Sequence, residues 1–183
     1  EMYRIRWAES KDAPGLYDVS LTVAKELGGI ITTKAFENTI KSKKLCFVVV
    51  DFTDQVIGFM IGGMITKGVF QTRDFAVSPK YRRKGVGSKL LASLLYYLQV
   101  PLINNISNPY FSHKWFALVP ERNKDAIRVY EAMGCVSEGI LKKHTRNKQN
   151  MIIMAFYLDE RKPPMLVSRA NSTVIDNSSI FER

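Results

Sequence analysis

Arg82, Arg83 and Lys84 are followed at once by Gly85, Val86, Gly87 and Ser88. Three full positive charges thus stand where two glycines leave the backbone bare. Before them, Phe75, Ala76 and Val77 form an apolar run of strand type, which Pro79 stops. After them, Leu90, Leu91, Leu94, Leu95 and Leu98 recur at helical spacing and give one apolar face. The stretch predicts a strand, a basic turn and the start of a helix. The first amides of a helix lack partners and carry partial positive charge. Glycines there let an anion approach the backbone closely. A di- or polyphosphate fits that description. The order Gly87-Ser88-Lys89 is wrong for a nucleotide P-loop, which ends Gly-Lys-Ser/Thr. A dinucleotide fingerprint needs three glycines, and two are present. A basic turn that only caps a surface helix is the bland reading.

A second set of spaced residues is Asn123, Ala126, Tyr130 and Gly134. Without any chemistry, Asn123 reads as a helix N-cap and Tyr130 as a core aromatic. Asp74 alternates to the face opposite Phe75 and Val77. Its bland reading is a charge partner for Arg73 or Arg82. No histidine or cysteine spacing of metal-binding type occurs, so no metal is expected.

Residues 2–8 alternate as a first strand. Ala13-Pro14 opens a helix whose buried stripe is Leu16, Val19, Val23 and Leu27, ended by Gly28-Gly29. Thr33 is the expected N-cap of a second helix, through Lys43, with Phe36 and Ile40 inward. Leu45 to Val50 reads as a buried strand, and Thr53-Asp54 as a turn. Val56 to Thr66 returns as a third strand whose Gly58, Gly62 and Gly63 suggest a bulge or close backbone approach. Phe70 to Val77 is the fourth. The helix after the glycines runs to Gln99, and residues 100–112 read as a long loop. Lys114 to Val119 is a fifth strand, followed by a helix with Ala126, Val129, Tyr130 and Met133 inward. Two last strands span Cys135–Arg146 and Met151–Leu158. The polar remainder, residues 159–183, reads as a tail that is loosely packed or docks on a partner subunit, as in a homodimer.

A chain of 183 residues, 46% hydrophobic, suits one globular domain with a core. No apolar run is long enough to span a bilayer, and the opening residues show no signal-peptide pattern. Two cysteines without a pairing pattern suggest a reducing compartment. A cytoplasmic location is therefore expected. The net charge of +10 implies an anionic partner. The charge is spread along the chain, although residues 142–148 form a basic cluster. No RNA-binding signature accompanies it, so nucleic acid is not expected as a partner.

Arg82-x-x-Gly85-x-Gly87, the preceding Val77-x-Pro79-x-Tyr81, and Asn123-x-x-Ala126-x-x-x-Tyr130-x-x-x-Gly134 closely resemble the two signatures of the GNAT superfamily of N-acetyltransferases. The element order over residues 2–158 is similar too. The ending Ile152-Ile153-Met154-Ala155 resembles that of the bacterial ribosomal-protein alanine N-acetyltransferases. The resemblance implies an α/β (α+β) fold: a mixed, mostly antiparallel sheet of six to seven strands with helices on both faces. It implies acetyl-CoA as cosubstrate and an amine as acceptor. Phe75, Ala76 and Val77 would pair with the pantetheine arm. Arg82, Arg83, Lys84, Gly85, Val86, Gly87 and Ser88 would hold the pyrophosphate, and Asn123 the arm. Tyr130 would return a proton to the departing thiolate, a phenol having an unperturbed pKa of about 10. Where the ribosomal-protein enzymes carry a fifth-strand glutamate, this chain has Leu118. Asp74 is the replacement base, with Glu121 and His144 behind it. An α-amine titrates near 8 and a lysine near 10.4, so deprotonating lysine costs about 3–4 kcal/mol more. A site lacking that glutamate therefore suits a protein or peptide α-amine. The apolar Gly28 to Ile31 loop beside the basic 142–148 cluster suits an acidic peptide better than a polyamine. A small amine acceptor, or a non-catalytic acyl-CoA-binding module, is the alternative.

Overall fold

The computed structural model describes residues 3–42, 44–160 and the backbone of 175–176. Its centre is β2 (Leu45–Val50), every residue of which is buried. A strand covered on both faces needs side chains that tolerate burial both ways, and Leu-Cys-Phe-Val-Val-Val supplies them. On one edge lies β1 (Tyr3–Trp7) and on the other β3 (Val56–Thr66), followed by β4 (Val69–Val77), all antiparallel to their neighbours. A second antiparallel set, β7 (Lys114–Pro120), β9 (Met151–Tyr157) and β8 (Val136–Leu141), joins it through a parallel β4–β7 pairing. This gives a seven-stranded mixed sheet, mostly antiparallel. A two-residue strand, β10 (Ile175–Asp176), adds to β1 in parallel. Apart from residues 159–160 and 175–176, the tail expected over 159–183 lies outside the described residues.

Helices cover both faces. α1 (Ala13–Thr22), α2 (Ala24–Leu27) and α3 (Thr33–Lys41) lie on one side, where Leu16, Val19 and Phe36 pack with Val48, Phe59 and Ile61. α4 (Val86–Gln99) and α5 (Lys124–Ala132) lie on the other, with Leu90, Leu94 and Leu98 against Phe47, Met60 and Trp115.

Several expectations are corrected. The first helix breaks at Val23 and resumes as α2, which Gly28 ends with φ of 81°. The N-cap of α3 is Thr32, whose hydroxyl accepts from the Ala35 amide at 3.2 Å, and not Thr33, the first helical residue. Residues 100–112 are no plain loop. They hold a small hairpin, β5 (Leu102–Ile103) and β6 (Ile106–Ser107), turned by Asn104 and Asn105 at φ of 50° and 62°. Asparagine tolerates that left-handed turn. β8 stops at Leu141, where Lys143 turns with φ of 50° and its amide donates to Asn150.

A bulge prepares the site. Ile61 pairs with Asp74 but Gly62 with Thr72, leaving Arg73 as the extra residue. Gly62 is required there, because a Cβ would lie 2.5 Å from the Gln71 carbonyl and from the Phe70 ring. After the bulge, Phe75 opposes Met60 on the α4 side, whereas Asp74 opposes Ile61 on the α1 side. Directly opposed residues share a face, so Asp74 and Phe75 point to opposite sides.

Candidate active site

The β4–β7 ladder runs only from Val69–Lys114 to Thr72–Ala117. β4 continues to Val77 and β7 to Pro120, and no pairing joins these ends among the described residues. The two strands part, leaving one edge of β4 from Arg73 onward with backbone groups that a ligand can pair.

The basic turn closes the outer end of this gap. After β4 the chain makes a 3-10 turn over Pro79–Tyr81, then reaches Arg83 at φ of 60° and Gly85 at φ of 78°. Arg83 is a bulky residue in the left-handed region, which costs about 1–2 kcal/mol. The conformation aims successive amides into one concavity, a shape that binds anions. Gly85 caps α4 with no side-chain hydrogen bond, so the amides of Val86, Gly87 and Ser88 are not capped from within. Arg82 is partly committed. Its Nε donates to the Val77 carbonyl at 3.1 Å, and its guanidinium lies 3.4 Å from Glu26 of α2. Lys84 lies over the Tyr81 ring, 5.6 Å from its centroid.

A recess of about 440 Å³ lies between these parts. It brings together Phe75, Ala76, Val77, Arg82, Arg83, Gly85, Val86, Gly87, Ser88 and Asn123 from the sequence-expected set. Lys84, Asp74 and Tyr130 do not line it. Val23, Glu26, Asp125, Ala126, Arg128 and Val129 complete the wall. Nothing local marks Glu26 as a lining residue, since it reaches the site only through tertiary packing. Asn123 caps α5 through its Oδ1, which accepts from the Ala126 amide at 3.2 Å. That leaves its Nδ2 for a ligand carbonyl.

Tyr130 stands where the strands part. Its ring centroid is 5.5 Å from Trp115 of β7 and 6.2 Å from Phe75 of β4. It is buried, and burial holds its phenol well above the usual value, with Cys135 adding to the effect. Among the described residues no hydrogen bond engages its hydroxyl. Burial also pushes the neighbouring Cys135 thiol up to about 12. Asp74 lies across the sheet from this ring. Its carboxyl is raised by burial, opposed by the charges of Arg73 and Lys44, and the Arg73 guanidinium is 3.7 Å away. Glu121 is occupied, accepting from Asn150 at 2.9 Å. Leu118 pairs with Ile153 on β9. Among the described residues, no cluster of histidine, cysteine or acidic side chains could hold a metal, and no helix is long and apolar enough to cross a membrane.

The acetyltransferase (GNAT) domain model matches residues 43–134, half of the chain. The chain therefore belongs to the GNAT acetyltransferase family, and the class of enzyme is an acetyl-CoA-dependent N-acetyltransferase. No curated protein matches it. Solved structures share the fold. A ribosomal-protein alanine N-acetyltransferase from Escherichia coli is 22% identical, with a TM-score of 0.69 over 86% of this chain and 94% of that one. A second ribosomal-protein alanine acetyltransferase, from Vibrio fischeri, is 19% identical, with a TM-score of 0.70 over 89% and 97%. A spermidine N-acetyltransferase from Vibrio cholerae is 18% identical, with a TM-score of 0.70 over 87% and 95%.

Proposed function

We propose that the chain acetylates a primary amine of a protein or peptide, an α-amine before a lysine, using acetyl-CoA. The observation that carries this is the parting of β4 from β7 with an anion-binding turn at its mouth and Tyr130 at its depth. Bound acetyl-CoA would supply an activated acyl group as a thioester. The residues present fit it. The amides of Val86 to Ser88 and the Arg83 charge suit its phosphates, while Asn123 Nδ2 and the open edge of β4 suit the amide-bearing arm.

Tyr130 serves as proton donor to sulfur. Burial raises its phenol, but burial raises a thiol in the same place, as Cys135 shows. Desolvation thus moves a phenol and a thiol in the same direction, so burial by itself does not take the proton return away from Tyr130. Asp74 serves as the base. Burial raises its carboxyl, which makes it a stronger base than an exposed aspartate. An α-ammonium, with its lower ordinary pKa, gives up its proton to such a base more easily than a lysine does. A small-amine acceptor is the second reading, favoured by the fold shared with a spermidine N-acetyltransferase.

Purified protein, acetyl-CoA and matched panels of peptides and small amines test this directly. Amine-dependent release of CoA is expected, fastest with peptides carrying a free α-amine. Release equal with and without amine would leave only an acyl-CoA-binding module.

A further inference from the structure

A second and larger recess, about 1000 Å³, lies at the other end of β3 and β4 from the phosphate turn. It shares no lining residue with the first. Its walls are apolar: Trp7, Tyr97 and Tyr110 on one side, Met64, Ile103 and Ile106 from β3 and the hairpin on the other. Gly63 keeps it open, since a Cβ there would meet only Lys44 Cγ, at 4.0 Å. Its size is that of a ligand pocket and not of a packing defect.

Its charge is one-sided. Lys44 and Arg73 are the charged residues that line it, and no carboxylate does. Among the described residues, no hydrogen bond engages the Lys44 ammonium or the Gln71 side-chain amide. Arg73 approaches only Asp74, at 3.7 Å, beyond hydrogen-bond length. Lys44 and Arg73 share the one partly buried Asp74 carboxyl, and with the free Gln71 amide at the rim of an aromatic-walled hollow they can take a further anion carried on an apolar body. Arg73 is also the residue at which β4 loses its β7 partner, and it precedes Asp74. The hollow therefore meets the acyl-transfer gap at Arg73, while its aromatic wall of Trp7, Tyr97 and Tyr110 packs with the cluster on the α4 side.

We propose that this recess takes the acceptor, and that the acceptor is an amine with an aromatic or aliphatic body and a carboxylate that pairs with Lys44 and Arg73. The inference rests on the acetyltransferase reading and on Asp74 as base. A polyamine is disfavoured, because its charges would face two cations. The carboxylate can belong to an acidic side chain next to a peptide's α-amine or to a small amino acid.

Two arms separate these sources. One compares amidated pentapeptides opening Phe-Asp and Phe-Asn. The other compares phenylalanine with phenethylamine. KM and kcat are measured for each, and binding is read from the fluorescence of Trp7, with Trp7→Phe as control. The carboxylate member of at least one pair is expected to show a KM or Kd lower by about tenfold. The arm that shows it names the source. Lys44→Glu and Arg73→Glu should each erase that preference. Gly63→Leu should raise KM for the preferred acceptor several-fold. Lys44→Glu and Gly63→Leu should leave the calorimetric affinity for acetyl-CoA unchanged. Equal KM and Kd within both pairs, or a preference that survives both charge reversals, overturns the inference. No uptake of acetyl-CoA by the wild type would instead overturn the acetyltransferase reading beneath it.

Discussion

Tyr130 is held by its ring, packed between Trp115 and Phe75, and not by its hydroxyl. Tyr130→Phe should therefore fold with a stability change under about 0.5 kcal/mol. Its kcat should fall about 100-fold or more, the usual worth of a positioned proton donor, with acetyl-CoA affinity intact. Turnover at the wild-type rate would remove the phenol from the chemistry. Asp74 carries the opposite signature. Burial raises its carboxyl in the folded state, so folding favours the protonated form. Its ionisation lowers stability as pH rises through the folded pKa. Asp74→Asn should accordingly be more stable than wild type at neutral pH, yet slower. As base, Asp74 works only when ionised, so the wild-type rate should fall as pH drops through that raised value. The pH–rate profile of Asp74→Asn should lack that acidic limb, and an unaltered limb would exclude Asp74.

The turn from β4 into α4 works because of its backbone. A Cβ at Gly87 would lie 3.4 Å from Phe75 Cζ and 3.7 Å from Val77 Cγ2, ordinary contact that alanine can make. The branches of valine would extend over the floor of the recess. Gly87→Val should weaken acetyl-CoA binding about tenfold or more by calorimetry, while costing only about 1 kcal/mol of stability. This element was legible in the sequence because its requirements are local: glycine at a left-handed position, bare amides at a helix start, leucines at helical spacing. The hairpin at 102–107 was not, since two-residue strands carry no periodicity and only Asn104-Asn105 hints at a turn. The break at Val23 has no glycine or proline to mark it. The contact of Arg82 with Glu26 joins residues 56 positions apart, and the second recess draws on segments still more scattered. Such features arise only when the sheet brings distant segments together.

Across the molecule, Asp54 ties the β2–β3 turn to β1 and to the entry of α1. It accepts from Arg4 at 2.7 Å, Lys11 at 3.0 Å and Arg6 at 3.2 Å. The Lys11 hydrogen bond is the largest influence, desolvation opposes it, and the hydrogen bonds and charge of Arg6 with the hydrogen bond of Arg4 complete the lowering of its carboxyl to about 2. A lowered carboxyl stabilises the fold above its unfolded pKa of about 3.9, and that contribution fades as pH falls toward the folded value. Asp54→Asn, which keeps a residue tolerant of the φ of 65° found there, should lose stability at neutral pH. Followed by circular dichroism, its acid unfolding should be flatter between about pH 4 and pH 2 than that of the wild type. The two recesses, at opposite ends of β3 and β4 with no wall in common, carry a kinetic consequence. Both reactants can be resident together, and no side chain need carry the acyl group between visits. Initial rates plotted reciprocally at several fixed concentrations of the second reactant should give lines that intersect instead of running parallel.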